Sequence, residues 1–279
     1  MRIKFEKRDE LSKPMLVAVP VITIVLSVIV SSLLLLALGK SPLLTMQSFF
    51  IAPFQTFYSL TEIFLKFGPL LLIAQALAIG FRARVWNIGA DGQMIMGAIA
   101  ASAVPVYLVD STSVWMLPAM IVLGALGGMG WAAIAAFLRV RFNANEILVT
   151  LMLTSIALQF LYYLLLGPWK DPMGFNFPQS VMFQDEALFG TLFSGARLNT
   201  SIVIPILFTI AIWVFMQKRF GGFKLEVGGL APMAAGYAGF SARRAVWISL
   251  LVAGMAAGLA GMSEIAGPIG QLQRSITSG

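Results

Sequence analysis

The amino-acid sequence predicts an all-α, polytopic helical membrane protein. Hydrophobic residues make up 59% of the 279-residue chain and charged residues only 11%. A water-soluble protein of this size needs more polar surface than such a composition supplies. Long uncharged runs recur along the chain without the apolar and polar alternation of barrel strands, so each run is predicted to be a helix.

These runs are close to the roughly 20 residues that a helix needs to cross a hydrocarbon core. The seven predicted spans are residues 15–38, 58–80, 92–109, 114–138, 147–166, 198–216 and 245–262. The first span follows a basic N-terminus, but its apolar core is too long for a signal peptide. The second is interrupted at Pro69 and carries Glu62 and Lys66, one helical turn apart, which we expect to neutralise each other.

The later spans have local signals of their own. The third follows a polar segment, FRARVWNIGADGQ at residues 81–93, and the fifth follows Asn145 and Glu146, which are typical of a helix start. Glycines lie four residues apart in the fourth span and again in the seventh, a spacing that predicts close packing between helices. These glycines are Gly124, Gly128, Gly254 and Gly258.

The positions of Lys and Arg predict that the N-terminus lies in the cytoplasm. With that orientation, most of the 19 basic residues lie inside: Arg2, Lys4, Lys7, Arg8, Lys13, Arg82, Arg84, Arg139, Arg141, Lys218, Arg219, Lys224, Arg243 and Arg244. The net charge of +7 is therefore explained by the basic residues on the cytoplasmic side of the membrane, and it gives no reason to expect binding to nucleic acid. Arg82 and Arg84 are interpreted as topology anchors rather than ligands.

Two connections are long enough to have roles of their own. Residues 167–197 are predicted outside, and their start, GPWKDP, favours ordered turns. Residues 217–244 are predicted inside and are too polar to span the membrane. The APMAAGYAG core of this second connection favours a short helix with small residues on its surface, which another protein can approach closely.

Several chemical functions are excluded by residues that the chain lacks. Without Cys or His it offers no thiolate, zinc or histidine-haem chemistry. The predicted span centres hold no ionisable residue for a coupling ion, because Asp91, Glu146 and Glu264 lie at span ends. No Gly-rich phosphate-binding loop is present. If the protein moves a solute uphill, the energy must come from another subunit, and we expect no catalytic residue, metal site or cofactor in this chain.

The polar segment is the candidate translocation site. Its residues Asn87, Gly89, Asp91, Gly92 and Gln93 either line a path at a broken helix start, bonding solute hydroxyls, or cap the third helix. The two uses are compatible.

At this segment the chain resembles the permease subunits of bacterial ABC importers for nucleosides and simple sugars, whose motif reads FRAGxFNIGxEGQ. Four further blocks match in the same order, namely NEILVTLML at 145–153, GPWKDP at 167–172, GFKL at 222–225 and AAGYAG at 234–239. The resemblance runs from about residue 67 onward and leaves the first helix unsupported. Arg84 replaces a glycine of the motif, Trp86 a phenylalanine and Asp91 a glutamate.

The resemblance implies a type II importer: a second permease subunit, a cytoplasmic ABC ATPase that holds ATP and Mg, and an extracytoplasmic binding protein that delivers the solute. It also implies that 217–244 is a cytoplasmic coupling loop seated in the ATPase. The residues that carry over are Gly229, Pro232, Ala234, Ala235, Tyr237 and Gly239. Met233 stands where the family commonly has glutamate and Gly236 where it has arginine, so the resemblance does not carry an ionic contact over to these two positions.

The expected organisation is one permease domain over residues 1–279 in the bacterial inner membrane, with a first helix at 14–38 and a permease core at 58–262. The family continues through further helices, so we expect a C-terminal truncation near Ser278. The alternatives left open are a permease for branched-chain amino acids, a secondary carrier and a non-transport membrane scaffold. The sequence does not name the solute or say whether the two permeases are identical.

Overall fold

The computed structural model describes residues 13–109 and 111–276. The basic residues Arg2, Lys4, Lys7 and Arg8, which contribute to the orientation prediction, and the C-terminal Ser278 lie outside those ranges. The chain forms two compact units, residues 1–60 and 61–279. Within the described ranges the secondary structure is helical apart from two isolated bridge pairs, Gln179 with Gln273 and Thr191 with Asn199.

The first unit contains helix α1 (Lys13–Ala37), helix α2 (Pro42–Phe50) and a 3-10 turn (Ala52–Phe54). Helix α1 is apolar on all sides and its side chains are almost all exposed, as expected for a helix surrounded by lipid. It ends at Ala37, and Gly39 two residues later has a φ of 68° that lets the Lys40 N–H reach back to the Leu35 carbonyl oxygen at 2.9 Å.

Helix α3 (Phe57–Arg82) begins in the first unit and continues into the second. The prediction that Pro69 interrupts this span is wrong, because the helix runs on through it. Gly68 and Pro69 are buried, and neighbouring helices in a membrane protein compensate for the hydrogen bond that proline removes.

The second unit holds the remaining helices. They are α4 (Ala90–Tyr107), α5 (Met116–Phe142), α6 (Glu146–Leu166), α7 (Val203–Lys218), α8 (Phe220–Leu230), α9 (Pro232–Tyr237) and α10 (Ala242–Glu264). Two 3-10 turns (Asp185–Ala187 and Thr200–Ile202) lie in the long connection before α7, and a π-helical turn (Ile265–Ile269) follows α10.

All seven predicted spans fall on helices. In the part of the chain that the structure describes, six helices are long and apolar enough to cross a membrane. The exception is the span predicted at 92–109. It corresponds to α4, an 18-residue helix whose first four residues include the polar Asp91 and Gln93. Most α4 side chains are buried among other helices, so α4 needs less apolar surface of its own than a lipid-facing helix does.

The core forms where α4, α5 and α10 cross at glycines. A Cβ on Gly97 would lie 2.2 Å from the Gly258 Cα, and one on Gly258 would lie 2.1 Å from the Gly124 carbonyl oxygen. One on Gly128 would lie 2.1 Å from the Gly254 carbonyl oxygen. The backbones therefore touch with no side chain between them, which confirms the close packing predicted from the glycine spacing.

The connection at 167–199 forms ordered turns against the segment that follows α10. Trp169 is buried, and its indole N–H donates to the Tyr107 hydroxyl at 3.1 Å. The Ser180 N–H donates to the Leu272 carbonyl oxygen and the Phe189 N–H to that of Ala266, at 2.9 and 2.8 Å. This connection is therefore part of the packed structure.

Candidate translocation and coupling sites

The turn before α4 is closed by a pair of side-chain amides. Asn87 and Gln93 are buried and bond each other twice, with Asn87 Nδ2 donating to Gln93 Oε1 at 2.9 Å and Gln93 Nε2 to Asn87 Oδ1 at 3.2 Å. The same Asn87 oxygen accepts the Gly89 N–H at 3.1 Å. These polar groups thus satisfy one another, so the turn is stable without a ligand.

The two glycines of the segment bring α4 against α6. A Cβ on Gly89 would lie 2.5 Å from the Thr150 carbonyl oxygen, and one on Gly92 would lie 2.6 Å from the Thr154 Cα. The Ile88 N–H adds a hydrogen bond to Thr150 Oγ1 at 3.3 Å. Asp91 differs from its neighbours in being exposed, in the first turn of α4, where a carboxylate interacts favourably with the helix dipole.

We expect Asn87→Ala to lower the free energy of unfolding by about 2 kcal/mol, because it leaves the buried Gln93 amide and the Gly89 N–H without their partner. The matched control is Asp91→Asn, an exposed change in the same segment, which should stay within about 0.5 kcal/mol. Thermal unfolding of the detergent-solubilised protein measures both. If Asn87→Ala abolished solute uptake without changing the unfolding temperature, Asn87 would instead belong to the translocation path.

Arg84 adopts a backbone conformation that is rare for residues other than glycine. Its φ is 54°, in the left-handed region where glycine is tolerated at least cost. This explains why the motif that the segment resembles has glycine at this position. Arg82 is exposed and lies 3.7 Å from Glu226, a contact that contributes little to stability.

Asn145 and Glu146 occupy the helix start that the sequence predicts. The Asn145 side chain accepts the Ile147 N–H at 2.9 Å and caps α6, which begins at Glu146. Glu146 is buried, and one of its oxygens lies 3.2 Å from Arg139 Nε at the end of α5. The helix-cap interpretation is confirmed, and the ion pair links α5 to α6.

The connection at 217–244 contains two helices, α8 and α9, of which the sequence predicts only the second. The end of α9 is set by Gly239, whose φ of 76° allows the Phe240 N–H to bond the Ala235 carbonyl oxygen at 2.8 Å. Pro232, Ala234, Gly239 and, most of all, Tyr237 are exposed. Met233 is exposed beside them, so α9 presents a surface of mostly small residues.

Two of the residues predicted for docking face the interior instead. Ala235 is 3% exposed, on the inner side of α9. Gly229, in α8, is buried, and a Cβ there would lie 1.9 Å from the Arg82 carbonyl oxygen at the end of α3. The chain needs small residues at these two positions for its own packing. That need is invisible in a sequence read as a surface loop.

The sequence that forms these helices and turns also matches a known protein family. Residues 59–274 match the family described as "Branched-chain amino acid transport system / permease component". The chain belongs to this permease family.

The permease is also similar to curated proteins. It is 33% identical to the glucose ABC transporter permease protein TsgB13 of Haloferax volcanii, over 93% of this chain and 70% of that protein. It is 29% identical to the nucleoside ABC transporter permease protein NupB of Lactococcus lactis, over 88% of this chain and 70% of that protein. The guanosine ABC transporter permease protein NupP of Bacillus subtilis is 30% identical, with coverage of 88% and 71%. No solved structure matches significantly.

The permease holds two ion pairs that join distant parts of the chain. Lys66 Nζ in α3 lies 3.0 and 3.1 Å from the two carboxylate oxygens of Glu264 at the end of α10. Glu62 is bonded by the guanidinium of Arg197, with one contact of 3.0 Å from Nε. The local pair predicted between Glu62 and Lys66 is therefore wrong, because each finds a partner from another segment of the chain.

The Glu264 side chain is only 1% exposed. An unpaired carboxylate at such a buried site would be destabilising, so the ion pair with Lys66 stabilises the charged form of Glu264. Sequence reasoning places Glu264 at a span end and misses this burial. Over residues 13–109 and 111–276, no group of His, Cys, Asp and Glu is arranged to hold a metal ion.

Proposed function

We propose that the permease is the membrane-spanning subunit of an ATP-driven ABC importer for a simple sugar or a nucleoside. The observation that carries the proposal is the exposed face of α9, which a family permease requires for attachment to an ATPase. The relatives named for glucose, nucleoside and guanosine transport support the solute class.

In this proposal the permease has no catalytic role and binds no cofactor of its own. ATP and Mg bind to a separate cytoplasmic ATPase, an extracytoplasmic protein delivers the solute, and a second permease subunit completes the path. The chain spans the plasma membrane several times with its N-terminus in the cytoplasm. The exposed basic residues Arg82, Lys218 and Arg244 support this orientation, because they lie at helix ends on the side of α9 in the proposed topology.

The contacts of α8 and α9 connect the ATPase docking surface to the end of α3, so a displacement of α9 can pass into the membrane helices. A shift of α9, driven by ATP binding in the partner, moves α8 because the two helices are joined at Ala231. At Gly229 the α8 backbone meets the Arg82 carbonyl oxygen without an intervening side chain. A flexible side chain would absorb part of the displacement, whereas backbone packing transmits it to the end of α3.

The turn at 87–93 holds the start of α4 against α6 in this mechanism. Because Gly89 and Gly92 lie directly against the α6 backbone, the two helices move together. Asn87 and Gln93 preserve the shape of the turn during the movement, and exposed Asp91 is the member of the segment that faces the translocation path.

The test of coupling is Tyr237→Asp, which places a charge on the exposed face of α9. We expect co-purification of the ATPase and ATP-dependent uptake to fall at least about tenfold, because interface aromatic residues often contribute 2 kcal/mol or more to binding. The thermal unfolding temperature should not change, since Tyr237 is 91% exposed.

The matched control is Met173→Asp in the connection at 167–199, where the native side chain is 84% exposed. This variant should co-purify with the ATPase as well as the parent protein does. Normal coupling in Tyr237→Asp would refute the role of α9. A bulky charged residue at Ala235 is not a suitable test. Ala235 is buried, so the substitution would destabilise the fold, and a loss of uptake could not be assigned to uncoupling from the ATPase.

The family description favours one second candidate, a permease for branched-chain amino acids. The two candidates are separated by the solute that stimulates ATP hydrolysis when the binding protein is added to the reconstituted complex. Stimulation by leucine or valine, with none by sugars or nucleosides, would support this alternative. Uptake without ATP would contradict both and point to a secondary carrier.

A further inference from the structure

A cavity of about 440 Å³ lies beneath the inner side of α9. Five segments of the second unit surround it: the turn after α3, the end of α5, the start of α6, the α8 to α9 segment and the start of α10. Ala235, the inward-facing residue of α9, forms part of its wall. Its volume is within the roughly 300–1,000 Å³ of small-molecule sites.

The charges that line this cavity are mostly positive. Arg84, Arg139, Lys224 and Arg244 contribute cations and Glu146 the carboxylate. Glu146 is paired with Arg139. Among the described residues, no carboxylate forms an ion pair with Arg84, Lys224 or Arg244. Each comes from a different segment, so an anion bound between them would contact three parts of the chain at once.

Apart from Ser241, the remaining lining residues are apolar, and aromatic side chains lie next to the lining residues in the chain. Trp86, Phe220 and Phe223 are each at least half exposed, and Lys224 Nζ lies 4.6 Å from the centroid of the Phe220 ring. Exposed aromatic residues beside cations are typical of the zone where lipid headgroups meet hydrocarbon. The cavity therefore has cationic side chains that suit an anion, and it lies beside residues typical of the membrane–water interface.

The opposite face of α9 is the one available to a protein partner. Met233 and Tyr237 are 78% and 91% exposed and do not line the cavity, whereas Ala235 faces it and Pro232 and Gly239, at the two ends of α9, border it. An ATPase seated on the outer face of α9 would not need to enter the cavity. This arrangement favours a lipid over an acidic segment of a partner protein as its occupant.

We infer that this cavity binds the phosphate headgroup of an anionic phospholipid from the cytoplasmic leaflet. The inference rests on the orientation given under the proposed function. Arginine guanidinium groups suit phosphate oxygens because they present paired N–H donors. Basic pockets between helix ends on the cytoplasmic side are suited to anionic headgroups. A bound headgroup would tie α8 and the start of α10 to the turn after α3, next to the coupling helix.

The test is native mass spectrometry of the full chain in neutral detergent, titrated with phosphatidylglycerol or with phosphatidylcholine of the same acyl chains. We expect phosphatidylglycerol to bind more tightly. The double variant Arg84→Asn with Arg244→Gln should weaken its binding by about 30-fold. Asparagine is chosen because it tolerates the positive φ of position 84. Since the ATPase is absent, failure of the proposed function would not affect this measurement.

Arg243→Gln is the matched control, because Arg243 is exposed and adjacent to Arg244 but does not line the cavity. It should bind phosphatidylglycerol like the parent chain. A second double variant, Arg84→Lys with Arg244→Lys, keeps both charges but loses the paired donors, so it should bind phosphatidylglycerol less tightly than the parent chain and more tightly than the neutral double variant. That order would show that the loss arises from charge and not from unfolding. Equal unfolding temperatures of the variants in detergent check the same point.

Three outcomes would overturn the inference. The first is phosphatidylglycerol binding that the neutral double variant leaves unchanged. The second is displacement of the lipid by an equal concentration of inorganic phosphate, which would make a free anion the ligand. The third is loss of ATPase co-purification in the neutral double variant with lipid binding intact, which would make the cavity a protein-docking site.

Discussion

Gly128→Ala is expected to lower the free energy of unfolding by about 3 kcal/mol, at the upper end of the usual cost of overpacking. The added methyl group would lie 2.1 Å from the Gly254 carbonyl oxygen and 2.8 Å from the Gly258 Cα. Both neighbours are backbone atoms, so the clash is relieved only if α5 and α10 separate. Separation would also expose the surfaces that α4 buries against them.

The control for this change is Gly130→Ala in the same helix. A Cβ at Gly130 meets nothing within 4 Å, so alanine there should be neutral or stabilise by about 0.4–1 kcal/mol by restricting the unfolded chain. Thermal unfolding and the yield of monodisperse protein report both variants. Equal stability of the two would show that α5 and α10 are not in backbone contact.

Lys66→Met is expected to lower the free energy of unfolding by about 3 kcal/mol, because it leaves Glu264 buried without a counter-charge. The value is taken at the low end of the usual range, since the Lys66 side chain is 51% exposed and Glu264 only 1%. Adding Glu264→Gln to this variant should recover most of the loss, because the buried charge is then gone.

Lys40→Met provides the comparison, since Lys40 is an exposed lysine in the turn between α1 and α2. It should change the unfolding temperature little. The role of the buried pair is refuted if Lys66→Met behaves like Lys40→Met, or if the double variant is less stable than Lys66→Met alone.

The sequence predicts helices well in this protein because the relevant signals are local. Long apolar runs identify the spans, Asn145 identifies the start of α6, and the glycine spacing in α5 and α10 identifies their contact. Local signals fail where the conformation of a residue depends on the helices packed around it. Pro69 marks no interruption, because packing around a buried helix compensates for the missing hydrogen bond.

The candidate sites show the same division between local and distant causes. The sequence predicts a turn at Asn87 and a short helix around Ala235, and both are present, but the N-cap of α4 is Gly89 and no side chain caps that helix as predicted. It does not predict that Ala235 faces inward, nor that Lys66 pairs with Glu264, a residue 198 positions away. Helical spacing favours Glu62 as the partner of Lys66, and only the folded chain brings the buried carboxylate closer.

The glycine crossing of α4, α5 and α10 restricts how the permease can change shape. Helices separated by side chains can slide, because rotamers readjust as ridges pass over grooves. At Gly97, Gly128 and Gly258 the backbones interlock, so sliding would force main-chain atoms through one another. The three helices therefore behave as one rigid body, and any opening or closing of the path must take place by hinging at its borders, where α3 and α7 pack against α10 through side chains.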